Sequence, residues 1–112
     1  MFFLYIIECK NNTLYTGITK DLAVRLKQHV SGKGGAKYTR ANKPVRLCRY
    51  WKIDDTIGTV LRIERLVKKQ GRAGKDTLIA HPKKLCLLVE KKQGAVVTII
   101  CGRKNYAISV GC

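Results

Sequence analysis

The N-terminal thirty residues read as a strand, a turn, a second strand and a helix in close succession. The run "FFLYIIE" from Phe2 to Glu8 is compact, aromatic and β-branched, which predicts a buried strand. Lys10-Asn11-Asn12 is a turn, and Thr13 to Ile18 a second strand, so the two form a hairpin. The stretch "LYTGITKDLAVRLKQH" then passes straight into a helix, capped by Thr19 or Asp21 and ending near Val30. Gly17 is expected to let the chain turn tightly into that helix.

The following segment, "SGKGGAKYTRANKP" (Ser31 to Pro44), is a Gly/Lys-rich loop. Val45 to Ile53 is a third strand, and Asp54-Asp55-Thr56 caps a second helix through about Gln70. "GRAGKDTLIAH" supplies a turn and a short third helix before Pro82. Beyond it, "LCLLVEKK", "AVVTIIC" and "YAISV" read as three short strands. The fold class is therefore α+β: a small three-stranded mixed or antiparallel sheet flanked by helices, over residues 1–82, with a β-rich C-terminal extension over 83–112. "AVVTIIC" is apolar at nearly every position, so it must pack on the domain's own sheet or helices, or pair with a second copy or a protein partner, and association through this extension is the expectation.

Charge narrows the partner. Lys+Arg 23 against Asp+Glu 7 leaves a formal charge of +16, which calls for a polyanion, nucleic acid before a membrane surface. From Lys20 to Arg49 nine bases face one acid, and from Arg62 to Lys75 six bases face one. Such lopsided runs point to a surface that tracks phosphates, with Lys33, Lys37, Tyr38, Thr39, Arg40, Lys43, Lys68, Lys69, Arg72 and Lys75 as candidate nucleic-acid contacts. The five cysteines are odd in number and lack C-x-x-C spacing, so neither a zinc ribbon nor a disulfide framework is implied. No signal peptide or membrane span is read, and the expected location is the cytoplasm, or the nucleus in a eukaryotic or viral source.

Two places carry chemistry. On the first helix Leu22, Arg25, Leu26 and His29 share one stripe, so Arg25 and His29 lie beside the apolar face. On the second, Ile57, Val60, Leu61 and Val67 form an apolar face into which Glu64 falls. A carboxylate there must pair with a cation such as Arg25 or Arg65, bind a metal, or look into a cleft.

Phe3-Leu4-Tyr5, then Tyr15-Thr16-Gly17, then Arg25, then an acid on a later helix, together resemble the GIY-YIG endonuclease domain over about residues 1 to 80. "TGIT-D---RL-QH" with "GGAKYTR-NKPV" is similar to its small stand-alone branch, and also to the catalytic subunit that cuts flaps and four-way junctions. The first motif keeps only its tyrosine, and the second has Thr16 in place of isoleucine.

That resemblance implies a metal-dependent DNA endonuclease of low sequence specificity, structure-selective and acting in repair, recombination or DNA processing. Its substrate would be DNA, branched or single-stranded. Glu64 would bind Mg²⁺ (or Mn²⁺). Arg25 would contact the scissile phosphate. Tyr5 or Tyr15 would orient the water or act as general base, and His29 would relay its proton. The alternative is a catalytically weak or inactive nucleic-acid-binding module on the same fold.

Overall fold

The computed structural model describes residues 1–34, 36–93 and 98–101. The hairpin forms as expected: β1 (Phe2–Cys9) and β2 (Leu14–Thr19) pair antiparallel, with Tyr5 opposite Gly17 and Ile7 opposite Tyr15. Asn12 supplies the turn with a left-handed φ of 63°, a conformation asparagine tolerates well. Helix α1 (Leu22–Ser31) starts where the Asp21 carboxylate accepts the Val24 N–H, and stops at Gly32, whose φ of 77° a side chain would resist.

The third strand, β3 (Pro44–Asp54), pairs antiparallel with β1 on the side away from β2. Two register irregularities interrupt that ladder, between Ile6 and Ile7 and between Glu8 and Cys9. The first has a visible effect. Tyr50 and Leu47 are three residues apart, yet both join Tyr5 and Ile7 in one cluster. The extra residue at the bulge resets the alternation, so one face stays apolar through the break.

The sheet separates two apolar layers. On one face Tyr5, Ile7, Leu47 and Tyr50 bury against Leu22 and Leu26 of α1. On the other, Leu4, Ile6, Trp51 and Ile53 pack under α3 (Ile57–Lys68), α4 (Gly71–Ala80) and α5 (Lys84–Gln93), which contribute Val60, Ile63, Val67, Leu78, Leu85 and Val89. Thr56 caps α3, its hydroxyl accepting the Thr59 N–H. The end of α4 is tied to β3: Arg49 donates from Nε and Nη2 to the Ile79 carbonyl at 3.0 and 2.7 Å, and Trp51 Nε1 donates to Pro82 at 3.0 Å.

Several expectations need correction. The loop between α1 and β3 contains a short helix, α2 (Lys37–Ala41). "LCLLVEKK" is not a strand but lies in α5, because its buried positions, Leu85 and Val89, are four residues apart and Leu87 between them is exposed. A short apolar run carries no period of its own, and here the helical period wins. Within "AVVTIIC", Thr98–Cys101 forms β4, which pairs antiparallel with β3 and completes the order β2-β1-β3-β4. Of the two arrangements open to that strand, the structure shows pairing with the chain's own sheet. "YAISV" lies outside the described residues. On α3 the buried stripe is Val60, Ile63 and Val67, while Ile57 and Leu61 are exposed. Among the described residues no helix is long and apolar enough to cross a membrane, and Cys9 and Cys48 are free thiols.

Thr16 stands out in the core. It is buried opposite Ile6, and its hydroxyl has no hydrogen-bond partner among the described residues. An unmade buried hydrogen bond costs free energy that a valine at the same position avoids. Thr16→Val is expected to raise the unfolding free energy by about 1 kcal/mol in urea titration. Lower stability in the valine protein would mean that the hydroxyl is satisfied in solution.

Candidate active site

Three segments converge on the α1 side of the sheet. Tyr5 comes from the middle of β1, Tyr15 from β2, and His29 from the last turn of α1. The Tyr5 hydroxyl lies 2.8 Å from His29 Nε2. The Tyr15 ring stands edge-on to the same imidazole, with centroids 5.3 Å apart. Gly17 makes this packing feasible, but not as a turn residue. It sits within β2 directly opposite Tyr5, where a Cβ would fall 2.5 Å from the Tyr5 oxygen. Its missing side chain is the space the phenol occupies.

Burial sets the protonation states. His29 is 1 % exposed, and burial, reinforced by the nearby Arg25 charge, lowers its pKa to about 4. The imidazole is neutral at neutral pH. Tyr5 is fully buried, and burial pushes its phenol up to about 12 against the opposing pull of Arg25. Tyr15 is raised for the same leading reason, with Arg25 again opposing and Glu64 adding to the rise. Of the two tyrosines only Tyr15 is partly open to solvent.

Arg25 is half-buried one turn before His29. Its Nη1 donates to Gln28 Oε1 at 3.0 Å and to the Gly34 carbonyl at 2.6 Å, which draws the following loop onto α1. Glu64, on α3, bears electrostatically on both phenols. Its side chain is 14 % exposed, and its ion-pair partner is Lys68 at 3.6 Å, neither Arg25 nor Arg65. Among the described residues no group of three His, Cys, Asp or Glu could enclose a metal. One half-buried carboxylate is nonetheless a donor set that suits Mg²⁺, which keeps waters and takes substrate phosphate oxygens for its other positions.

Helix α2 closes one side. Tyr38 stacks on Tyr15 at an interplanar angle of 13°, with centroids 6.1 Å apart. Its hydroxyl touches that of Thr13 and accepts from Asn11 Nδ2 at 3.3 Å. Lys33, Lys37, Arg40 and Lys43 are exposed around α2, as are Lys68, Lys69 and Arg72 around the end of α3 and the start of α4. Lys75 is half-buried beside Lys68 and Arg72, and burial foremost lowers its pKa. With Arg72, Thr13, Leu14 and Gly71 it lines a cleft of about 360 Å³ next to the contact of Thr13 with Tyr38.

Thr39 departs from its expected place among the nucleic-acid contacts. It is 1 % exposed, and its hydroxyl lies 2.7 Å from His29 Nδ1. The turn of α2 points it inward while Lys37, Tyr38 and Arg40 point outward. No spacing in the sequence announces this contact, since the partners belong to different helices ten residues apart.

The family comparison matches residues 1–77 to the GIY-YIG catalytic domain. Among curated relatives, a UPF0213 protein of Syntrophus aciditrophicus is 47 % identical over 77 residues, covering 69 % of this chain and 87 % of the relative. Another, from Halalkalibacterium halodurans, is 42 % identical over 78 residues, covering 70 % and 81 % respectively. The solution structure of a UPF0213 protein from Bacillus halodurans is 39 % identical, spans 76 % of this chain and 93 % of that one, and superposes with a TM-score of 0.45.

Proposed function

The chain belongs to the GIY-YIG family, a nuclease superfamily, and we propose that it is a metal-dependent DNA endonuclease of low sequence specificity. The chemistry is assigned to residues 1–82. One observation carries this reading: Tyr5, Tyr15, Arg25 and His29 meet in a single cluster on which the Glu64 carboxylate bears. Hydrolysis of a phosphodiester needs a deprotonated water and stabilisation of the charge that develops on phosphorus. Glu64 is the residue to hold Mg²⁺ (or Mn²⁺), which when bound would supply Lewis acidity and a more acidic water. Arg25 presents a planar fork to the phosphate oxygens. Tyr15 is our choice to meet the attacking water, because it is the more open phenol. Tyr5 and His29 stand behind it as a neutral hydrogen-bonded pair able to hold or pass a proton.

The surrounding cations supply affinity without base readout. Lys33, Lys37, Arg40, Lys43, Lys68, Lys69 and Arg72, all exposed, and the half-buried Lys75 offer phosphate contacts. If six or more of them engage, the binding constant should fall by about 10³ or more between roughly 50 and 200 mM salt. Fluorescence anisotropy on unrelated duplex sequences measures this. A flat salt response would remove these residues as phosphate contacts. Branched or single-stranded DNA, a cytoplasmic setting and a role in repair, recombination or processing complete the reading.

The deciding experiment is cleavage of duplex, single-stranded, flap and junction DNA side by side, with Mg²⁺, with Mn²⁺ and with chelator. Cutting that chelator abolishes is the expected result. Binding without cutting on all four substrates would instead support a non-cleaving nucleic-acid module, the reading that full burial of Tyr5 favours.

A further inference from the structure

Thr39 makes two contacts that together determine which way the protons in the cluster point. Its Oγ1 lies 3.0 Å from the Ala36 carbonyl oxygen and 2.7 Å from His29 Nδ1. Two oxygens at 3.0 Å need a proton between them, and a carbonyl has none to give. The Thr39 hydroxyl therefore donates to Ala36, the familiar back-bond of a helical threonine. Having spent its one proton, it can only accept from His29, so Nδ1 carries the imidazole hydrogen. A neutral imidazole then has a bare Nε2, and the Tyr5 O–H, 2.8 Å away, donates to it.

We propose that Thr39 is a positioning residue: anchored on the Ala36 carbonyl, its hydroxyl holds His29 as the Nδ1–H tautomer and makes Nε2 the acceptor for the Tyr5 proton. The hydrogen bonds run one way, from Tyr5 through His29 and Thr39 to Ala36, and each polarises the next. The groups facing the imidazole are Tyr5 from β1, Tyr15 from β2, Arg25 from its own helix and Thr39 from α2. No carboxylate among the described residues hydrogen-bonds to it, so no acid competes with Thr39 for the Nδ1 proton.

The consequence is a link between substrate contact and chemistry. Thr39 sits on the same short helix as Lys37, Tyr38 and Arg40, which are exposed. That helix is held against the site by the stacking of Tyr38 on Tyr15, and the loop before it by Arg25 on the Gly34 carbonyl. DNA phosphates that grip Lys37 and Arg40 would press onto the cluster the same segment that orients His29. This consequence rests on the nuclease reading; the tautomer does not.

The test is ¹⁵N spectroscopy of the imidazoles in the free full-length protein. There are two histidines to assign, His29 and His81. Wild type should show His29 neutral with its proton on Nδ1. Thr39→Val should lose that preference and give a mixed or Nε2–H form, whereas Thr39→Ser should keep it. If the valine protein does not fold, Thr39→Ala removes the same hydroxyl with less bulk and carries the same comparison. In cleavage, the valine or alanine variant should lose about 10-fold or more in kcat, with DNA affinity unchanged and serine restoring the rate. A wild-type Nε2–H tautomer, or a valine or alanine spectrum identical to wild type, would overturn the tautomer assignment, and cleavage at the wild-type rate without the hydroxyl would overturn the positioning role in the chemistry. Absence of cleavage in every protein would count against the nuclease and leave the tautomer result standing.

Discussion

Glu64→Gln is expected to reduce Mg²⁺-dependent cleavage to background while DNA affinity stays within a few-fold of wild type. The substitution keeps the volume of a side chain only 14 % exposed and removes nothing but its charge and a surface ion pair with Lys68. Such a pair contributes little to stability. The exposed cations that would track DNA are untouched, so binding and cutting should separate. The result would also be specific. The Glu64 charge raises both phenols, so its removal makes Tyr5 and Tyr15 easier to ionise, and lost cleavage could not be traced to a weaker tyrosine. Cleavage at the wild-type rate in titrations with Mg²⁺ and Mn²⁺ would eliminate Glu64 as the metal-holding carboxylate.

Arg25→Ala should cost about 10² or more in rate, the loss typical of removing one preorganised group that stabilises developing charge. The side chain also fastens Gln28 and the Gly34 carbonyl through Nη1. Some of the loss could therefore reflect a loosened loop, and Arg25→Lys separates the two causes. Lysine keeps the charge but lacks the planar fork, so a bidentate role predicts that it rescues poorly. Single-turnover kinetics, with melting curves to verify folding, are the measurement. A lysine enzyme as fast as wild type would reduce Arg25 to a point charge, and an alanine enzyme as fast as wild type would end its role at the phosphate.

Much of this was legible because it is local. The hairpin and the helix it feeds are written in alternation, turn residues and the Asp21 cap, whose partners lie within a few positions. The same holds for α3, which Thr56 starts. The Tyr5, Tyr15 and Arg25 spacing carried the family because it belongs to that local unit. The helix α5 was missed since "LCLLV" suits a strand or a helix until something covers Leu85 and Val89.

What the sequence determined, then, was the order of elements through α4 apart from the short α2, the sign and spread of the charge, and the set of side chains from which a site could be built. Tertiary structure decided how those side chains act. Only pairing β1 with β2 shows that Gly17 is space for the Tyr5 phenol and not a turn. Only the fold of α2 onto α1 turns Thr39 from a surface contact into the partner of His29. Only the fold lowers the imidazole and raises the phenol, since both shifts are chiefly desolvation of groups that are ordinary in the open chain. The physical reason is common to all three. Each depends on atoms brought within a few ångströms by contacts between separate elements, and a residue's type and spacing along one strand or helix do not specify what another element will place against it.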